Sequence, residues 1–241
     1  MRLKAGRPDI DDYRQYFDLP VAGPAAAPTV TWAGVTTLLV DDGASAVMTD
    51  GFFSRPSLLR VGLGRIAPSE PRIDGCLGRL GVRQLDAVLP VHTHFDHAMD
   101  SAVVAERTGA RLIGGVSAAH IGHRLPADRV VVVTPGEPVR AGAFDITLVV
   151  GDHCPPDRFP GRIDAPVTPP VRASAYRCGE AWSTLIGHRP TGEMPLSYRG
   201  AIDEVAIYDR ALEGRELTRH HRAGPSGITT SRFALFRWLD P

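Results

Sequence analysis

The stretch Leu85-Asp86-Ala87-Val88-Leu89-Pro90-Val91-His92-Thr93-His94-Phe95-Asp96-His97 decides how this chain is read. A mostly apolar run, suited to a buried strand, passes directly into three imidazoles and a carboxylate. In extended backbone successive side chains alternate sides. His92, His94 and Asp96 are therefore expected to point one way and His97 towards a neighbouring spot. Neutral imidazole and carboxylate are good ligands for Zn2+, so the arrangement suits one ion or two close together. Fe or Mn would accept the same donors. Simpler roles stand beside this one. Asp96 precedes a helix expected to start near Ala98 and would suit its N-terminal cap, and His97 would suit an exposed first turn.

Working outward, Val30 to Val40 and Ala46 to Gly51 read as two strands around the turn Asp41-Asp42-Gly43-Ala44. A loop with Gly62 and Gly64 leads to a helix at 70–80, which Gly81 closes. The strand at 86–91 ends at the histidines, and a helix follows from Ala98 to Thr108 with Gly109 as its stop. A short strand Arg111–Gly114, a short helix at 116–122 and a buried strand Val130–Val133 come next. Phe144 to Val150 is a strand that delivers Gly151-Asp152-His153. Beyond it Pro155, Pro156, Pro160, Pro166, Pro169 and Pro170 predict an irregular stretch, either a stiff surface connection or a wall beside the site. Ala173–Tyr176 and Trp182–Ile186 read as a strand pair. Strands alternating with helices predict a layered α/β fold.

On these residues the chain resembles the metallo-β-lactamase superfamily, whose hallmark is His-x-His-x-Asp-His on the loop after a core strand. Val30 to Val40, followed by Ala46-Val47-Met48-Thr49-Asp50-Gly51, is similar to that family's opening strands, with Asp50 at its first-motif aspartate. The resemblance implies an αββα layered sandwich over residues 29–187, incomplete in its second half. It implies a first metal site of His92, His94 and His153, and a second begun by Asp96 and His97. Asp96 is the implied catalytic carboxylate, and Asp50 an acceptor behind the ligands. Similar branches often carry His where Val35 stands here. The family's bridging aspartate and last histidine have no counterpart in their expected context, since His188 follows a strand too early. The implied chemistry is attack by a metal-bound hydroxide on an ester, thioester, lactone, amide or phosphodiester.

Composition narrows the partners. A chain of 241 residues suits one large domain or one and a half. With 43% hydrophobic and 22% charged residues it is ordinary for a soluble protein. A formal net charge of +0 offers no basic stripe, which argues against nucleic acid. Cys76, Cys154 and Cys178 are odd in number with no Cys-x-x-Cys pair, as expected of reduced cytoplasmic thiols. Cys154, beside His153, is either a metal contact or a small buried hydrophobe. Met1 to Arg7 precede no apolar secretory core, and no run reaches membrane-spanning length. The expectation is a cytoplasmic protein acting on a small molecule, with neither nucleic acid nor membrane as partner. Oligomeric state is not legible.

Three segments are expected: an N-terminal stretch with an Ala/Pro linker at 1–28, the layered domain at 29–187, and a divergent segment at 188–241. In the last, Gly200 to Leu212 resembles the final strand of laminin-G-like, concanavalin-type jelly rolls, and Glu216 to His221 suits the short helix that trails it. Such a module needs two facing sheets, which about forty residues cannot supply. Two functions therefore stand: a metal-dependent hydrolase of a small ester, lactone, thioester or phosphate ester, or a truncated or chimeric product. The latter would be a non-catalytic metal-binding protein or a carbohydrate-binding module.

Overall fold

The apolar run Val30 to Val40 does not form one strand. Gly34 (φ +98°) and Val35 (φ +52°) turn the chain back on itself, and Ala33 N–H donates to Thr37 O at 2.8 Å across the turn. The products are β1 (Thr29–Trp32) and β2 (Leu38–Asp41). The computed structural model describes residues 28–153 and 157–188. Cys154, the N-terminal linker and the jelly-roll-like segment lie outside the described residues.

The Asp41–Ala44 turn forms as expected. The Asp41 carboxylate accepts from Gly43 N–H at 2.7 Å, and that of Asp42 from Ser45 N–H at 2.7 Å, so each side chain mimics a backbone turn. Then come β3 (Ala46–Thr49), β4 (Ala87–Leu89), β5 (Arg111–Gly114) and β6 (Val130–Val132). These six strands make one sheet in sequential order. It is antiparallel from β1 to β3 and parallel from β3 to β6. Parallel neighbours need crossovers, and the helices supply them.

A short helix α1 (Leu58–Leu63) occupies the loop where the glycines predicted none. Ser57 caps it, and Leu58, Leu59 and Leu63 face outward. Helix α2 (Glu70–Leu80) ends at Gly81 in the left-handed region, as its sequence predicts. The helix expected from Ala98 comes in two pieces, α3 (Phe95–Ala98) and α4 (Ser101–Thr108), and α5 (Val116–Ile121) follows β5. A second sheet of β7 (Pro138–Ala141), β8 (Phe144–Val150) and β9 (Trp182–His188) is antiparallel throughout. The Ala173–Ala175 segment is a single turn of 3-10 helix, which corrects the expected strand there.

Side-chain alternation along the central strands builds two cores at once. Met48, Val88 and Leu112 meet Ile73 and Leu77 of α2 and Val104 and Ala105 of α4. Their neighbours Val47, Ala87, Leu89 and Ile113 meet Phe144, Ile146, Leu148 and Ile186 of the second sheet. Each fully buried Val, Leu, Ile, Met or Phe among them stabilises by roughly 1.5–3 kcal/mol. The order is helices, sheet, sheet, which supports the α/β sandwich. The Val130–Val132 strand, expected to be buried, is an edge with Val132 52% exposed. A third cluster of Phe52, Ile66, Met99, Ile163, Val167 and Tyr176 lies under the proline-rich stretch. The described part of that segment runs over the surface and is anchored to this cluster by Ile163 and Val167.

Between α3 and α4, Asp100 is fully buried. It accepts from Phe53 N–H (2.8 Å), Ser54 N–H (2.6 Å) and the Ser54 hydroxyl (2.7 Å), and so pins the chain that enters α1. Burial pushes its carboxyl up to about 6 despite these donors. A folded-state pKa above the unfolded one means stability that is complete below about 4 and lost as pH rises through about 6. Urea melts of wild type and Asp100→Asn should therefore diverge. From pH 4 to pH 7 the wild type should fall relative to the variant by up to about 3 kcal/mol. A constant difference would show that Asp100 does not titrate there.

Candidate metal centre

The site forms where β3 and β4 end side by side. Asp50 N–H continues the β3–β4 ladder by donating to Leu89 O at 3.0 Å. Asp50 (φ +52°) and Gly51 (φ +77°) then both enter the left-handed region, a strained conformation for Asp that the surroundings must hold. A Cβ on Gly51 would stand 3.1 Å from Val104 Cγ2, so glycine also allows the close approach of α4. The turn sends the Asp50 side chain behind the histidine loop. It accepts from Val91 N–H at 2.8 Å, from the Thr36 hydroxyl, and from His97 Nδ1 at 2.8 Å. Asp50 is fully buried. Burial opposes a charge on His97, but the hydrogen bond and charge of Asp50, aided by the charge of Asp96, outweigh it and raise the His97 pKa. Asp50 thus stands where the sequence predicts an acceptor, holding a proton on Nδ1 and leaving Nε2 of His97 open.

The motif itself is not extended. Residues 90–94 are loop, His94 is the N-terminal cap position of α3, and Ala98 N–H donates to His94 O at 2.9 Å. The expected alternation therefore does not operate, and a turn entering a helix brings the rings together. His92 and His94 meet edge to face at a centroid distance of 4.8 Å. His153, just past β8, closes the group at 4.7 Å from His92 and 4.8 Å from His94. One ligand atom from each of the three lies within 4.8 Å of the others. His97 stacks on His92 at 3.8 Å, but neither His97 nor Asp96 belongs to a described donor trio. Asp96 lies half-buried in the first turn of α3, so the cap role expected for it falls to another residue. His97 is buried, which removes the exposed reading.

Two ring nitrogens, His92 Nε2 and His153 Nδ1, are buried without a hydrogen-bond partner among the described residues. Leaving such groups unmet costs about 1–3 kcal/mol each, and a metal ion would satisfy both. Burial, then the neighbouring His97, His94 and His153, push the His92 pKa down to about 2. His92 is thus neutral at any physiological pH, as a ligand must be. The residues present fit a metal ion.

Residues 157–179, the proline-rich stretch and the turn after it, contribute contacts that no sequence signal announces. Thr93 N–H donates to Cys178 O at 2.8 Å, and its hydroxyl to Arg177 O at 2.6 Å. Gly179 (φ +69°) fits only because it lacks a side chain, since a Cβ there would stand 2.7 Å from Ser117 Cβ. Phe159 faces the His94 ring at 6.4 Å. His94, Asp157 and Cys178 form a second trio of donors within 4.8 Å. Burial, the charge of Asp157 and a hydrogen bond to it push the Cys178 thiol up to about 11. His123 is exposed and His120 half-buried, and neither joins a described donor trio.

A histidine cluster at the strand ends of a layered α/β sandwich marks a metal-binding class of protein. Residues 30–207 match the model of the metallo-beta-lactamase superfamily, and the chain belongs to that superfamily. It is 28% identical over 130 residues to a metal-dependent hydrolase of Anaeromyxobacter sp. (strain K), a match covering 52% of this chain and 42% of that relative. A metal-dependent hydrolase of Methylobacterium nodulans is 28% identical over 227 residues, covering 88% of this chain and 87% of its own. This chain thus spans less than half the length of the first relative. Among solved structures, a subclass B3 metallo-beta-lactamase from a soil metagenome library is 17% identical with a TM-score of 0.40, over 69% of this chain and 56% of that one. A metallo hydrolase from the archaeon Ignicoccus hospitalis is 17% identical with a TM-score of 0.39, over 67% and 56%.

Replacing Asp50 with Ala would leave Val91 N–H without its acceptor and His97 Nδ1 with only the Thr36 hydroxyl. At about 1–3 kcal/mol for a buried orphan, the variant should lose roughly 1–3 kcal/mol in urea unfolding. A loss below about 1 kcal/mol would show that the carboxylate does not organise the loop.

Proposed function

We propose that this chain is a metal-dependent hydrolase that takes Zn2+ as its first-choice ion and cleaves a small ester, lactone, thioester or phosphate ester. The carrying observation is the convergence of His92, His94 and His153, with two of their buried nitrogens lacking a partner among the described residues. Three protein ligands leave an open position, the mark of a catalytic rather than a structural site. A bound divalent ion supplies a Lewis acid and an activated water.

The chain's own residues do the rest. His92 is kept neutral by burial among its fellow histidines. Asp50 holds His97 by Nδ1, so His97 offers Nε2 towards a second ion. Asp96, one residue before it and half-buried, is the carboxylate for proton transfer in this reading. The Phe159 ring faces His94 and limits water around it. The formal charge of +0 supports a small substrate over a polyanion. Among the described residues no helix is long and apolar enough to cross a membrane. The names of the relatives agree with hydrolysis.

The test is metal content together with turnover. Purified protein should hold one or two Zn2+ per chain and hydrolyse generic aryl esters or phosphodiesters. His92→Ala and His94→Ala should each weaken Zn2+ binding at least 100-fold with circular dichroism unchanged. Metal retained by both variants would end the site assignment, and metal without any turnover would favour the non-catalytic alternative.

A further inference from the structure

We infer that Asp157 is the positioning residue for His94: its carboxylate holds the proton of that ring on Nε2 and so fixes which nitrogen can meet a metal ion. The inference rests on the metal-site reading above. His94 Nε2 lies 3.2 Å from Asp157 Oδ1 and 3.3 Å from the carbonyl oxygen of Phe159. Neither group can donate there, because a backbone carbonyl only accepts and an ionised carboxylate only accepts. A lone pair on Nε2 would face two oxygens and be repelled by both. An N–H at the same place donates to the Phe159 carbonyl and is held electrostatically by the carboxylate 3.2 Å away. The proton therefore sits on Nε2, and Nδ1 keeps the lone pair that a metal needs.

Asp157 is itself held in place. The same Oδ1 accepts from Phe159 N–H at 2.9 Å in a tight local turn, and the Cys178 thiol hydrogen-bonds to its carboxylate. Cys178 N–H donates to Phe159 O at 2.9 Å, and Gly179 N–H to Gly161 O at 2.9 Å. The Cys178 carbonyl in turn accepts from Thr93 N–H at 2.8 Å, one residue before His94. The carboxylate and the ring that it orients are thus joined through a short closed circuit of backbone bonds, and they move together. Asp50 treats His97 in the same way from the other side of the motif, with a buried carboxylate on Nδ1 at 2.8 Å. Carboxylates behind ligand histidines commonly set tautomer and basicity.

The donor trio of His94, Asp157 and Cys178 invites a different use, as an ion site of its own. One imidazole serving an ion on each side would have to give up both ring protons. The geometry points instead to support of one site.

The test uses the full chain with Asp157→Ala, Asp157→Asn and Cys178→Ala. Long-range 1H–15N spectra of histidine-labelled apoprotein read the His94 tautomer, and chelator competition reads Zn2+ affinity. Apoprotein melting temperature controls for folding. Wild type should show His94 as the Nε2–H form. Asp157→Ala should give a tautomer mixture and weaken Zn2+ binding about 10- to 100-fold with little change in melting. Asp157→Asn, whose amide oxygen still accepts, should restore the tautomer and much of the affinity. An Nδ1–H tautomer in wild type, or unchanged affinity in Asp157→Ala, would overturn the inference. So would the loss of a whole second ion in both Asp157→Ala and Cys178→Ala, which would make the trio a site. Wild type that binds no Zn2+ would defeat the functional reading, while the tautomer spectrum would still judge Asp157.

Discussion

The carboxylate of Asp50 has no exposure to water and almost no freedom, and the rest of the site depends on that. It ends β3 and takes the first amide of the histidine loop and the hydroxyl that follows the β1–β2 turn. It also takes the ring of His97. A buried charge is tolerated only when it is met by several donors or an opposite charge. The donors of Asp50 come from three separate segments, so its desolvation can be repaid only when all three are in place. The left-handed backbone of Asp50 and Gly51 is the strain stored to put it there.

Around this joint the fold divides its labour by parity. Each central strand sends one side chain to the helices and the next to the second sheet, and the site lies at the strand ends, where both cores stop. His92 and His94 come from the first sheet's loop and His153 from the tip of the second. Polar side chains can gather there because the apolar layers give way to loops. The proline-rich stretch then closes the face, with Tyr176 and Ile163 packed beneath it and Thr93 bonded to its far end.

Much of this was legible along the chain. The six residues from His92 to His97, and His153 after a run of alternating apolar residues, are local signals, and the structure brings His92, His94 and His153 together. The stops at Gly81 and Gly109 are equally local, since only a left-handed residue ends those helices. The failures share one cause. A glycine-valine turn inside an apolar run, an edge strand of three valines and a 3-10 turn at Ala173 differ from their alternatives only in tertiary surroundings. The Asp157 contact with His94 spans a sequence separation that no spacing rule reaches. Its neighbours Pro155, Pro156 and Pro160 made the segment look irregular, and it is irregular; its importance lies in what it touches.

The origin of the three histidines on two different sheets has a thermodynamic consequence. An ion held by His92, His94 and His153 rivets one layer of the sandwich to the other, so the layers cannot part without releasing it. Whatever binds only the assembled form stabilises it by RT ln(1 + [ion]/Kd), about 2.7 kcal/mol at a free concentration one hundred times Kd. Loading and folding become one equilibrium. The supply of free metal around the protein would then govern how long the sandwich stays shut, as well as whether it can react.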